Sequence, residues 1–145
     1  MAHKTLVIQP VKYSEEKTIR QSQIYKGFSS VNPNSRDVRI YDFELIKQDL
    51  INQFSVRKNE RLMYPNFGTV IWDSIFEPFT EDLKTTIAED VTRIVNLDPR
   101  INAKTIDITE KDFGIILELT LEYAGTNQID VMTLNFDKNS GLTTQ

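Results

Sequence analysis

The chain contains no cysteine, which removes disulfides, thiolate nucleophiles and nearly all structural zinc arrangements together. That absence suits a reducing compartment such as cytoplasm. The only histidine is His3, so histidine triads, HExxH sites and imidazole proton shuttles have nothing to be built from. No apolar run approaches the roughly 20 residues that cross a bilayer. Residues 1–10 lack the apolar core and small-residue cleavage site of a signal peptide. A soluble chain with no membrane partner, not exported by the usual route, is expected. Gly68 and Gly114 stand alone, without GxxxxGK or GxGxxG around them, so no phosphate loop is present. No cofactor, no metal and no catalytic set are expected.

What is there fits one domain of 145 residues, large enough to bury a core without staples. Charge is uneven. Residues 1–36 hold six Lys/Arg against two Asp/Glu, whereas residues 37–145 hold eleven against nineteen. The body is therefore acidic, which argues against a phosphate-binding surface and against nucleic acid as a partner. The basic leader reads either as a solvated arm or as a strip lying on an acidic neighbour.

Thr5-Leu6-Val7-Ile8-Gln9 is short, β-branched and bounded by Pro10, the pattern of an edge strand. Residues 12–23 are polar with weak periodicity and read as low order. Val31-Asn32-Pro33-Asn34-Ser35 is a turn cluster. Phe43, Ile46, Leu50 and Phe54 recur at helical spacing, with Asp42 as N-cap, and give a helix over 43–54. Pro65 holds Tyr64 extended, and Gly68 supplies a positive φ at the following turn. Thr69 is placed to cap a short helix carrying Val70, Ile71, Ile75 and Phe76, which Pro78 stops. Thr80 caps the strongest helix, whose stripe is Leu83, Ile87, Val91 and Ile94 and whose end is set near Leu97 by Pro99.

Beyond Ile101 the period changes to two. Ile106 and Ile108 share a face, Ile115, Leu117, Leu119, Leu121 and Tyr123 alternate with wetter residues, and a third strand covers 129–136. The expected fold is α+β: two main helices plus a short one, packed on a C-terminal three-stranded antiparallel sheet. Residues 1–24 read as an N-terminal extension, 25–136 as the domain and 137–145 as a polar, frayed C-terminal tail.

Each chemical candidate has a plain structural reading beside it. Glu60, Asp73 and Glu77 are the nearest thing to a glycosidase pair, since Asp73 and Glu77 are i, i+4; solvated helix pairs have the same spacing. Arg57, Lys58 and Arg61 beside Tyr64 and Phe67 could face a single strand, but ordinary loop charges account for them. Asp98-Pro99-Arg100 forms a rigid corner after a helix. Its guanidinium either closes on Asp98 and the helix end or is presented to a partner's carboxylates. The 129–136 strand, with Ile129, Asp130, Val131, Met132, Thr133 and Leu134 in line, has no proline, no lysine before Lys138 and Asp130 as its one internal charge. Such a border is open to strand addition unless residues 6–9 cover it.

Four elements in order resemble the baseplate wedge family of contractile phage tails, whose type VI secretion counterpart is TssE. Tyr25-Lys26-Gly27-Phe28-Ser29 resembles its aromatic lead-in. Asn59-Glu60-Arg61-Leu62-Met63-Tyr64-Pro65-Asn66-Phe67-Gly68 resembles its "GER…P.FG" signature. Phe76-Glu77-Pro78 matches "FEP", and Asp98-Pro99-Arg100 resembles its Glu-Pro-Arg motif. Asn59 stands where glycine is usual, and Asp98 is one methylene shorter than glutamate. The resemblance covers residues 25–136 and implies a non-enzymatic structural protein of the virion's inner baseplate, in six copies. It implies that Asp98, Pro99 and Arg100 meet the other baseplate wedge proteins, and that the last strand pairs with the tail sheath protein and seeds the sheath. The family's lysozyme-like label would make a muramidase of Glu60, Asp73 and Glu77; a regulatory adaptor on the same fold is the third reading.

Overall fold

The computed structural model describes the backbone of residues 6–8, 26–28 and 39–144, and the side chains of residues 42–144. The expectations for His3, residues 12–23 and the 31–35 turn lie outside these. The elements run β1 (Leu6–Ile8), β2 (Lys26–Phe28), β3 (Arg39–Tyr41), α1 (Asp42–Phe54), α2 (Ile71–Ser74), α3 (Glu81–Leu97), β4 (Ile101–Lys111), β5 (Gly114–Tyr123), β6 (Ile129–Asp137) and β7 (Gly141–Thr144). The α+β class is as expected.

Strands β1-β4-β5-β6-β7 form one antiparallel sheet in that order, and β2 pairs with β3 in a separate ribbon. The expectation of three C-terminal strands is corrected to four, with β1 added along β4. The fourth strand, β7, lies in the stretch read as a frayed tail. Its turn explains it: the Asp137 carboxylate accepts from the Asn139 and Ser140 amides at 2.7 and 3.2 Å, and Gly141 takes φ +79°. These bonds bring Gly141 and Leu142 opposite Asp137 and Phe136. The strand at residues 6–8 covers β4 (Leu6 opposite Ile108), not the border of β6.

One sheet face packs on the helices. Ile106, Leu119 and Met132 lie in one row across β4, β5 and β6, and Ile108, Leu117 and Leu134 in the next; all six are buried. Helix α1 adds Phe43, Ile46, Leu50 and Phe54, and α3 adds Leu83, Ile87, Val91 and Ile94. Phe54 and Trp72 both meet the Phe136 ring edge-on, with centroids 6.2 and 5.2 Å apart. The indole of Trp72 also donates to the Phe54 carbonyl at 2.8 Å, satisfying an acceptor that the end of α1 leaves open.

Helix ends follow local chemistry. Thr80 accepts from the Leu83 amide at 3.2 Å, and Asp98, held extended before Pro99, ends α3. Asp42, the expected cap, is the first residue of α1 and has φ +47°. Strand β3 runs straight into α1, so the change of direction falls on one residue, and aspartate tolerates the left-handed region better than most.

Candidate functional site

Three features stand out on this frame: a loop, a corner and a sheet border. The loop spans residues 57–69 and closes on itself. Lys58 donates to the Thr69 carbonyl at 3.0 Å and Thr69 to that of Val56 at 2.9 Å. Asn59 donates to the Pro65 carbonyl, Tyr64 to that of Arg61 and Phe67 to that of Tyr64. Gly68, at φ +99°, passes so near Val56 and Arg57 that a Cβ would sit 2.5 Å from the Val56 oxygen. The Glu60 carboxylate accepts from the Arg57 amide at 3.0 Å, and the Arg61 guanidinium lies 4.0 Å from the Phe67 ring centroid.

A buried lock fixes this loop to α3. Asp90 accepts from the Thr69 hydroxyl at 2.8 Å and the Val70 amide at 3.0 Å. Its other oxygen holds Arg93, whose two terminal nitrogens reach the carbonyls of Asn66 and Gly68 at 3.1 and 2.9 Å. Sequence reasoning missed Asp90 and Arg93. A signal was available: Asp90 sits three residues after Ile87 and four before Ile94, a carboxylate on the apolar stripe, which needs buried partners.

At the corner, the guanidinium of Arg100 turns onto the chain itself. Its Nε donates to both Asp98 oxygens at 2.8 and 3.1 Å, and one terminal nitrogen bridges Asp98 at 2.6 Å and Asp49 of α1 at 2.8 Å. The side chain is 17 % exposed. Bonding to Asp98 raises its pKa above the ordinary arginine value; burial opposes this and Asp49 adds to it. Of the two readings of Arg100, the internal contact with Asp98 is the observed one. The corner therefore ties α1, the end of α3 and the start of β4 together, with Pro99 exposed at its tip.

Along the border, β7 pairs with β6 only from Leu134 to Asp137. The outer border of β6 over residues 129–133 pairs with no strand among the described residues. Ile129 and Val131 are exposed there, while Met132 and Leu134 are buried on the helix side. Asp130 turns to the helix side, where it pairs with Lys47 of α1, and also accepts from the Val131 amide at 2.8 Å. Lys47, above all, lowers its pKa; burial opposes this and the Val131 amide reinforces it.

An open cleft of about 420 Å³ is lined by Val70, Asp73, Ser74, Glu77, Thr80, Asp82, Leu83 and Thr86. It brings Asp73 and Glu77 together but not Glu60, and Asp73 also pairs with Arg57 at 3.3 Å. Phe76 is exposed, with the Lys138 ammonium 5.5 Å from its ring centroid, and Pro78 lies in the exposed link between α2 and α3. Among the described residues no group of three or more metal-binding side chains converges, and no helix is long and apolar enough to cross a membrane.

Compared with known families, residues 42–128 match the model of the family described as baseplate wedge protein gp25. The match covers more than half of the chain and takes in the loop, its lock and the corner. No curated protein and no solved structure matches in the corresponding comparisons.

Proposed function

The chain belongs to the baseplate wedge protein family, a structural family of the phage tail baseplate, and from that membership we propose that it joins the wedge to the first ring of the sheath. In this reading it is not an enzyme. It associates with other wedge proteins through the Asp98-Pro99-Arg100 corner and offers the border of β6 to a strand of the sheath protein, six copies acting around the tail axis. The observation that carries the proposal is the border of β6 at residues 129–133, which no strand among the described residues covers, on a strand paired along its other side with β5.

Strand addition supplies main-chain bonds for affinity, and side-chain alternation sets the register. Asp130 is central to it. Its carboxylate occupies the Val131 amide in the free chain, a local protection of the border. An incoming strand would exchange that side-chain bond for a main-chain one. The corner serves differently. With its guanidinium engaged inside, it offers the wedge a braced elbow rather than a free cation, and the exposed side of Asp49 leaves acceptors at its rim.

Val131→Pro tests the border. It removes the amide that Asp130 now holds and leaves a proline where an added strand needs a donor. The variant should still enter baseplates, but tails should lack sheath when imaged by electron microscopy. Full-length sheaths on Val131→Pro baseplates would refute the strand-addition reading.

A further inference from the structure

The loop at residues 57–69 displays Leu62, Met63 and Tyr64 at its tip, exposed to 95, 85 and 71 %. We infer that this tip is an anchor that inserts into an apolar cleft, rimmed by carboxylates, on another protein of the baseplate. The inference rests on the family reading above and adds to it a third contact, separate from the corner and the border.

Three observations lead there. Three consecutive large apolar side chains in water are unusual for a polar, acidic chain, and such patches mark interaction sites. They are also held rigid. Backbone bonds close the loop on itself, and Arg93 clamps the carbonyls of Asn66 and Gly68, which holds the tip out from the core. Little conformational entropy is then lost on docking, and a leucine, an adaptable methionine and a tyrosine are the side chains of a buried anchor. Finally, Lys58 and Arg61 lead into the tip, on a body whose residues 37–145 carry eight more acidic than basic groups. Glu60 between them turns its carboxylate back onto the Arg57 amide. The two cations complement a carboxylate rim.

The cleft lined by Val70, Asp73 and Leu83 does not fit as a receptor on a second copy. Asp73, Glu77 and Asp82 lie in it, and only Val70 and Leu83 are apolar. Filling it with three apolar side chains would strip water from carboxylates without replacing their bonds.

The test uses the full chain and a wedge complex of the other baseplate proteins from the same tail, assembled without it. Leu62→Ser/Met63→Ser should keep the wild-type urea midpoint, since both side chains are solvated, and bind the complex roughly 100-fold more weakly. Arg61→Glu should bind more weakly in low salt, with the difference shrinking as salt is added. Equal binding by the double variant and the wild type overturns the anchor and leaves the family reading standing. Failure of the wild type to join the complex overturns both. Wild-type binding to anionic phospholipid vesicles, lost in the double variant, would make the receptor a membrane and overturn the inference. So would a wild-type dimer that the double variant abolishes.

Discussion

Asp90→Ala should destabilise the protein more than any surface substitution. Asp90 is 7 % exposed and Thr69 fully buried. Removing the carboxylate strands the Thr69 hydroxyl and the Val70 amide and takes from Arg93 its charged partner, leaving the guanidinium the carbonyls of Asn66 and Gly68. A buried donor without an acceptor costs about 1–3 kcal/mol, and breaking a buried charged pair from one side costs roughly 3–5 kcal/mol in all. Arg93 is partly exposed and recovers some hydration, so the lower half of that range, about 3–4 kcal/mol, is expected. With a urea dependence of about 2 kcal/mol per molar for a protein this size, the midpoint should fall by roughly 1.5–2 M. Asp90→Asn keeps an acceptor for Thr69 and Val70 but turns an amide toward Arg93, so its fall should be about half as large. A midpoint for Asp90→Ala within about 0.3 M of wild type would refute the account of the lock.

Further outcomes follow from the same geometry. Gly68→Ala should cost at least about 2 kcal/mol in urea unfolding, because its Cβ meets backbone atoms of Val56 and Arg57 that cannot swing away and its φ is +99°; an unchanged midpoint would sink that explanation. Asp130→Ala should raise concentration-dependent self-association in sedimentation, since it uncovers the Val131 amide on a border that no described strand pairs with; a monomer at all concentrations would contradict it. Acid should loosen the β6–β7 region. The folded pKa values of Asp130 and Asp137 are both lowered, chiefly by the Lys47 bond and the Asn139 amide. Their contribution is thus present above the ordinary aspartate value of about 3.9 and is lost as pH falls through the lower folded values. Hydrogen exchange at Val131 and Asn139, corrected for its intrinsic pH dependence, should report that loss, and flat protection across the range would exclude it. The chain should not clear peptidoglycan in a zymogram; clearing that disappears in Glu77→Gln would establish the muramidase reading instead.

Much of the fold was legible because burial imposes a period on the chain. The stripe from Leu83 to Ile94 and the alternation from Ile115 to Tyr123 are local records of which side faces the core. Thr80, Pro99 and Gly68 likewise act on their own neighbourhood, where cap, stop and positive φ depend on a few adjoining atoms. The short strand β7 escaped that logic. Its four residues have no pattern long enough to read, and its pairing depends on β6 already being in place.

Sequence alone therefore determined the two main helices, the long strands and the family elements between residues 42 and 128, since each is specified by residues adjacent in the chain. Helix α2, by contrast, is shorter than expected and has Val70 rather than Thr69 at its N-cap. Only the tertiary structure decided where the charged side chains went. Arg100 reaches Asp49 across 51 positions, Thr69 meets Asp90 across 21, and Asp130 finds Lys47 from a different element. Such pairs are chosen by which surfaces the packed core brings within hydrogen-bond reach, and no local pattern records that distance. Among the described residues, the same packing left one end of the β6 border without a partner strand and pushed Leu62, Met63 and Tyr64 into solvent.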